Sequence, residues 1–284
     1  MAQDHRLQQQ RFELKYLVSE SITLAVRDFV SSYLEIDEYG VSQPNISYPV
    51  HSLYLDSDDL KTYHDTTNGT KNRFKLRLRY YDDCPGTPIF FEIKRRMNNC
   101  ILKRRGGVRR DAVGWLLSGH VPEPSHLVSQ DPRHLVALQN FSLLLNQLDA
   151  KPKAHIAYLR EAWVSPADNS VRVTLDRVVR HEPHFGMEIS TQMENPITVF
   201  GKEVILELKF TNRFPDWFGE LVRAFNLMQF SAAKYAEGIV LLGEHRFHDG
   251  YQSRSSWVSR AAEPDEVRAF SRSRAVKVMD TSAV

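Results

Sequence analysis

The chain has 284 residues, of which 42% are hydrophobic and 25% are charged, so one large or two small globular domains with a sizeable core are possible. The formal net charge of +2 at pH 7 gives no support to a protein that coats DNA through bulk charge, and two cysteines supply neither a disulfide framework nor a metal knuckle. The first residues are polar and no stretch approaches the roughly 20 apolar residues that cross a bilayer, so we expect a cytoplasmic chain without a transmembrane segment.

Hydrophobic periodicity and turn residues predict an α+β fold in which antiparallel strands and helices are mixed. In chain order we predict a strand over 11–17, a helix over 20–34, a strand over 50–55, a short helix or turn over 58–65, strands over 72–81, 88–96 and 99–105, helices over 111–117 and 132–148, strands over 153–164, 170–180, 185–192 and 202–210, and helices over 215–227 and 231–242. The apolar pattern fades near residue 245. We therefore predict one domain over 11–245, with flexible ends over 1–10 and 246–284.

Several of the predicted strands carry charge on one face and apolar side chains on the other. Because successive strand residues point to opposite faces, the segment 73–80 places four cations on one face and four apolar side chains on the other. The same alternation occurs in 11–16, 171–176 and 203–210, and in a looser form in 90–95. Glutamates share the cationic face in three of these segments. The pattern suggests one surface that binds a polyanion and a metal.

The charged faces have two possible locations. In an open sheet they would face water, and the pattern would be an ordinary solvated face with surface ion pairs. In a closed barrel they would face the lumen, while helices cover the outside. Because unpaired buried cations are very costly, a charged lumen needs paired glutamates, water and an anionic ligand.

An ordered series of motifs resembles the VTC domain, the polyphosphate polymerase module of the vacuolar transporter chaperone family within the triphosphate tunnel metalloenzymes. The resemblance covers about residues 11–242. The motifs that carry it are 13–16 (ELKY), 52–56 (SLYLD), 75–81 (KLRLRYY), 91–95 (FEIKR), 158–160 (YLR), 172–176 (RVTLD), 206–209 (LELK) and 231–235 (SAAKY).

This resemblance implies a fold and a reaction. The fold would be an eight-stranded antiparallel β-barrel, or tunnel, with a charged lumen surrounded by helices. The reaction would be metal-dependent transfer of the γ-phosphate of ATP to a growing polyphosphate chain. The implied ligands are ATP, triphosphate, polyphosphate and a divalent cation, Mn²⁺ or Mg²⁺. A membrane protein is a possible partner. We expect no specific binding of nucleic acid.

The resemblance also implies the site residues. Those carried over as catalytic and substrate-binding are Lys15, Arg77, Arg79, Lys94, Arg160, Arg172, Lys209 and Lys234, with Lys75 as a further substrate-binding residue. The metal would be held by Glu207, with Glu13 and Glu92 as helpers. From the residues alone, a salt bridge between Glu207 and a neighbouring arginine stays an alternative, and Lys234 is equally readable as a surface lysine.

One position departs from the hydrolytic relatives, which begin with a Glu-x-Glu-x-Lys pattern. Arg11 stands at the first glutamate, which favours the polymerase branch of the superfamily. Two other functions stay open: a tunnel-type triphosphatase that hydrolyses inorganic or nucleoside triphosphate, and a non-catalytic module that binds polyphosphate or RNA. Glutamates interleaved with the cations argue against simple nucleic-acid binding, because they repel phosphate.

Overall fold

The computed structural model describes residues 11–98, 100–166, 170–211 and 213–248, which form an antiparallel sheet with helices, an α+β fold as predicted. Within these ranges the strands are β1 Arg11–Val18, β2 Glu35–Ile36, β3 Ser47–Asp56, β4 Asn72–Tyr80, β5 Ile89–Met97, β6 Cys100–Val108, β7 Lys151–Val164, β8 Val171–Pro183, β9 Ile197–Thr198 and β10 Val204–Thr211. The α-helices are α1 Glu20–Val30, α2 Glu38–Val41, α3 Lys61–Thr67, α4 Val113–Leu117, α5 Pro132–Leu148, α6 Asp216–Ala224 and α7 Lys234–Leu242.

The strands follow the order β2-β7-β3-β4-β5-β6-β1-β10-β8-β9, and β7 also pairs with β8. The join between β6 and β1 is the weak point of this arrangement, since it consists of one register pair, Arg11 opposite Ile101. These two residues lie at the beginnings of their antiparallel strands, so the strands overlap only at their ends. The expected eight-stranded closed barrel is therefore corrected to a ten-stranded sheet without a continuous ladder at this join.

Most of the outer face of the sheet is apolar and packs against helices, as expected for an amphipathic sheet. Helices α4 and α5 pack on β3 to β6 through a cluster that includes Leu78, Phe91 and Phe141. Helix α5 comes so close that a Cβ on Gly106 would lie 2.8 Å from the carbonyl oxygen of His134. Helices α1 and α6 cover β1, β8 and β10 through a second cluster.

Helix α7 does not follow the expectation that helices lie only outside the sheet. Its Tyr235 stacks on Tyr54 of β3 with ring centroids 4.9 Å apart, and Tyr54 shares the inner face with Ser52. Ala236 and Ile239 of α7 belong to a buried cluster with inward-facing residues of β3 and β7. The inner face is thus apolar where α7 packs on it and charged elsewhere.

One predicted strand is wrong. The strand predicted over 185–192 is irregular chain, because its polar groups bond to side chains instead of a neighbouring strand: the Thr191 N–H donates to Asp83, and the Ser190 carbonyl accepts from Tyr80. Packing continues past residue 245, since Phe247 is fully buried in a 3-10 turn. Of the predicted flexible ends over 1–10 and 246–284, residues 1–10 and 249–284 lie outside the described residues.

Candidate functional site

Glu207 lies at the centre of a cluster of cations on the inner face. It is 4% exposed, and four cationic groups lie within ion-pair distance of its carboxylate. They are Lys209 at 2.5 Å, Lys15 at 3.2 Å, Lys234 at 3.3 Å and Arg160 at 3.5 Å. Burial opposes ionisation of Glu207, but the charges of these partners outweigh it and hold its pKa well below the ordinary value. One carboxylate therefore neutralises cations that come from β1, β7, β10 and α7.

Asp176 is a second carboxylate in the same cluster. It is fully buried on β8, directly opposite Arg160 of β7, and the guanidinium of Arg160 binds it through two hydrogen bonds of 2.7 Å. The ammonium group of Lys234 lies 2.7 Å from its other side. Lys234 is the first residue of α7, so the position of that helix on the inner face brings this cation to Asp176 and Glu207.

Glu13 extends the cluster across the weak join between β6 and β1. Its carboxylate lies 3.1 Å from Lys15 on its own strand and 3.1 Å from Lys94 of β5. Burial favours the neutral form of Glu13, but Lys94 and Lys15 outweigh it and lower its pKa. Lys15 also contacts Glu207, so Glu13 and Glu207 share one ammonium group.

Glu92 forms a separate group on β4 to β6. It is fully buried and lies 2.7 Å from Arg77, which is directly opposite it on β4, and 2.5 Å from Lys103 of β6. Arg77 also donates to the hydroxyl of Tyr54 at 3.0 Å. Burial raises the pKa of that phenol, but Arg77 and the neighbouring cations of β4 outweigh it and lower the pKa of Tyr54 to about 7.

Arg79 forms its side-chain hydrogen bonds with neutral hydroxyl groups. It is buried, and its guanidinium donates to the hydroxyls of Ser52 at 3.2 Å and Tyr158 at 2.9 Å. Its Nε has no hydrogen-bond partner among the described residues. A buried donor without a partner is costly, and an anionic ligand at this position would satisfy it.

The residues carried over from the family resemblance are not all in one place. Lys15, Arg160, Lys209 and Lys234 converge on Glu207, and Lys94 reaches the same cluster through Glu13. Arg172 lies apart, where it pairs with Asp37 and donates to the Tyr48 hydroxyl at 3.3 Å.

Lys75 has a different environment from the other inner-face cations. Its ammonium group lies 5.7 Å from the ring centroid of Tyr235, and no carboxylate lies within ion-pair distance of it among the described residues. Burial lowers its pKa to about 8, and the positive charges of Lys15 and Lys94 add to this effect. Lys75 is therefore a cation of the inner face without an anionic partner in the described chain.

The carboxylates are suited to hold a metal ion only if the phosphates of the substrate supply its remaining ligands. Within the described ranges, no three His, Cys, Asp or Glu side chains come together closely enough to hold a metal. Pairs do occur: Glu207 shares Lys234 with Asp176 and shares Lys15 with Glu13. Mg²⁺ and similar hard cations often bind through one or two carboxylates together with substrate phosphates. Glu207 with one neighbouring carboxylate suits that mode, whereas Glu92 shares no cation with Glu207.

Sequence reasoning missed several residues of this site. Asp176 was part of a quoted motif but had no assigned role, although its place on the Arg172 face of β8 was a usable signal. Lys103 was not singled out, because its role depends on the fold of the β5–β6 hairpin: the register places it opposite Lys94, and its side chain reaches the carboxylate of Glu92. Tyr54 and Tyr158 also lay inside quoted motifs, yet periodicity alone does not show that their hydroxyls bind arginines.

None of the helices in the described part of the chain is long and apolar enough to span a bilayer. Among solved structures, the chain is similar to the crystal structure of a Bacillus halodurans protein that was described as a candidate adenylate cyclase. It is 14% identical, covers 80% of this chain and 95% of its own, and has a TM-score of 0.43.

Two sequence comparisons bear on the family. Vacuolar transporter chaperone complex subunit 2 of Schizosaccharomyces pombe (strain 972 / ATCC 24843) is 27% identical over 148 residues, which is 49% of this chain and 20% of that relative. The VTC domain family matches residues 10–242, which include every strand and α-helix described above. The chain belongs to the VTC domain family.

Proposed function

We propose that this chain is a metal-dependent polyphosphate polymerase that transfers the γ-phosphate of ATP to a growing polyphosphate chain. The observation that carries the proposal is the cluster around Glu207, where four cations from four different elements surround one buried carboxylate. Membership of the VTC domain family supports the same reaction.

The cations of the inner face suit phosphoryl transfer, which depends on positioning and charge stabilisation more than on covalent catalysis. Arginine can bind two phosphate oxygens at once, whereas lysine acts as a point charge. Arg79 has a buried donor without a partner, and Lys75 has no carboxylate partner among the described residues, so both can bind phosphate without first breaking an ion pair. We assign triphosphate binding to these two residues together with Arg77.

The carboxylates determine where a divalent cation would bind. Glu207 is the main expected ligand, assisted by Glu13 or Asp176, and Mn²⁺ or Mg²⁺ bound there would offset negative charge on the phosphate oxygens. If a cation bound there, Lys15, Lys209 and Lys234 would lose part of their interaction with Glu207. Those lysines would then be able to bind phosphate, so the ion pairs described above would be a resting state of the site.

A triphosphatase is the main competing function, and the same residues would serve it. The two reactions differ in the acceptor, since polymerisation needs a phosphate chain where hydrolysis needs water. The long basic face on β4 to β6 favours a chain acceptor, because it continues beyond the Glu207 cluster. A membrane-protein partner stays a prediction of the family resemblance, and a cytoplasmic location stays a prediction from the sequence composition.

The test is an incubation with ATP and Mn²⁺, followed by a gel stained for polyphosphate. The wild type should produce long chains, and Glu207→Gln should produce none. Glu161→Gln is the matched control, because Glu161 is also fully buried and ion-paired, with Arg27 and Arg177, but lies on the other face of the sheet. It should retain polymer synthesis. Phosphate release without polymer would support the triphosphatase, and tight polyphosphate binding without any product would support the binding module.

A further inference from the structure

The inner face of β4 and β5 forms three successive rungs of directly opposed charged residues. In the deepest rung Arg77 is opposite Glu92, so the charges are complementary. In the next rung Lys75 is opposite Lys94, and only Lys94 has a carboxylate, that of Glu13. In the third rung Arg73 is opposite Arg96. Compensation by carboxylates therefore decreases from rung to rung along the strands.

The third rung has no carboxylate of its own. Arg73 donates to the carbonyl oxygen of Thr70 at 2.5 Å, and Arg96 donates to that of Asn98 at 2.8 Å. Neither guanidinium lies within ion-pair distance of an acidic side chain among the described residues. Like charges directly opposite each other destabilise a strand pair. Burial together with the charge of Arg96 lowers the pKa of Arg73, and the charge of Asp65, which forms no ion pair with Arg73, opposes this only in part.

We propose that Arg73 and Arg96 form an outer subsite that binds a phosphate chain longer than triphosphate. The proposal rests on the polymerase function, whose acceptor is such a chain. The third rung lies four residues from Arg77, which corresponds to about 13 Å along the strand. A short ligand bound near Arg77 and Arg79 does not need this rung, whereas a chain that follows the inner face passes over it. An anion between the two guanidinium groups would also remove their repulsion.

The same hairpin supplies a matched control. Arg95 and Arg104 lie on the opposite face of β5 and β6, where their directly opposed neighbours are apolar: Leu102 faces Arg95, and Ile93 faces Arg104. Both arginines are exposed. Replacing this pair removes the same total charge from the same hairpin without touching the inner face.

The experiment compares the double variants R73Q/R96Q and R95Q/R104Q by calorimetric titration with inorganic triphosphate and with long-chain polyphosphate at one ionic strength. We expect R73Q/R96Q to weaken long-chain binding about tenfold, which is about 1.4 kcal/mol, and to leave triphosphate affinity within about twofold. The control pair should leave both affinities within about twofold. Equal weakening of both ligands, or an equal effect of the control pair, would overturn the subsite.

Two additions keep the test decisive. Arg96→Glu should raise the melting temperature by pairing with Arg73, while it weakens long-chain binding further, a combination that a folding defect cannot produce.

Vesicles of phosphatidylcholine with phosphatidylserine test whether the third rung binds an anionic membrane surface instead of polyphosphate. If R73Q/R96Q reduces vesicle binding and spares polyphosphate, the rung serves a membrane surface and the proposal is wrong. Because these are binding measurements, they stand even if the wild type proves unable to polymerise phosphate.

Discussion

The ammonium group of Lys234 lies 2.7 Å from the carboxylate of Asp176, although Lys234 begins helix α7 and Asp176 lies in strand β8. This ion pair ties the helix on the inner face to the carboxylates of the sheet. A hydrogen bond from the Tyr235 hydroxyl to Asp56, 2.9 Å long, holds the same turn of the helix from the other side. The position of the Lys234 ammonium group in the site therefore depends on how α7 packs on the inner face.

Replacement of Lys234 by methionine should reduce both stability and activity. The side chain keeps a similar length but leaves Asp176 and Glu207 with one cation fewer, and breaking a buried ion pair typically costs about 3–5 kcal/mol. We expect the rate of polymer synthesis to fall by about 100-fold, as for other lost electrostatic contacts in active sites. Chemical denaturation and initial rates measure the two effects.

Tyr235→Phe is the control for Lys234→Met, because it removes only the hydroxyl that donates to Asp56. We expect a stability loss of about 1 kcal/mol and a rate close to that of the wild type. If Tyr235→Phe lowers the rate as strongly as Lys234→Met, the helix position matters and the ammonium charge does not.

Glu207→Gln should bind triphosphate more tightly than the wild type when no divalent cation is present. Glu207 neutralises Lys15, Lys209 and Lys234 in the described structure, so its loss frees these cations for an anion. We expect about tenfold tighter binding, equivalent to about 1.4 kcal/mol, and a less stable free protein. Titration calorimetry in the presence of a chelator measures the affinity. Weaker binding than in the wild type would contradict the assignment, and Glu161→Gln should show no change.

Triphosphate should stabilise the wild-type protein against unfolding. The inner face keeps Lys75 and the Nε atom of Arg79 without anionic partners in the described chain, and a bound anion would compensate them. At a triphosphate concentration 100 times the dissociation constant, we expect about 2.7 kcal/mol of added stability. The gain should decrease with added salt, because the interaction is between charges. A melting temperature that does not respond to triphosphate would contradict the polyanion site.

A group of buried histidines outside the charged face should make stability depend on pH. His51 and His155 contact each other at 3.0 Å, and Tyr80 contacts His155 at 3.0 Å. Burial lowers the pKa of His51 to about 4 and that of His155 to about 3, with further lowering by Arg180 at both rings. Two acidic groups face the pair: the carboxylate of Glu182 lies 3.7 Å from His155, and the charge of Asp83 opposes the lowering of the His51 pKa.

The free energy of unfolding should decrease as the pH falls. In the unfolded state both histidines titrate near pH 6.5, and they therefore bind protons that the folded state does not bind. Stability is fully present above about pH 6.5 and should be lost as the pH falls towards the folded pKa values. The expected slope between pH 6 and 5 is at most about 1.4 kcal/mol per pH unit for each histidine. Urea unfolding at pH 7, 6 and 5 measures it, and His155→Gln should reduce the slope. Stability that does not change between pH 7 and 5 would contradict the lowered pKa values.

The parts of the site that follow strand periodicity could be predicted from the sequence. Alternation placed Lys75, Arg77 and Arg79 on one face of β4, and it placed Glu207 and Lys209 together on β10. The α+β class and most strand positions followed from the same pattern. These features are local, since they depend on residues two positions apart in one segment.

The remaining features depend on contacts between distant segments. No local pattern shows that α7 lies on the inner face, so the ion pair between Lys234 and Asp176 could not be derived. The single register pair between β6 and β1 joins two strands that are about 90 residues apart in the chain, so local pattern does not predict it. Because the two strands share only this pair among the described residues, the predicted barrel has no continuous ladder there. The strand predicted over 185–192 is wrong because local pattern does not show that this segment bonds to the side chains of Asp83 and Tyr80, which are about 110 residues away in the chain.

The measurement that tests the account most directly is the ratio of free phosphate to ADP during turnover of ATP with Mn²⁺, with and without a short polyphosphate primer. A polymerase transfers the γ-phosphate to the chain, so we predict that free phosphate stays a minor product and that the primer shortens any lag. Glu207→Gln should release neither ADP nor phosphate. Release of one free phosphate for each ADP, unchanged by the primer, would contradict the polymerase function and favour a triphosphatase.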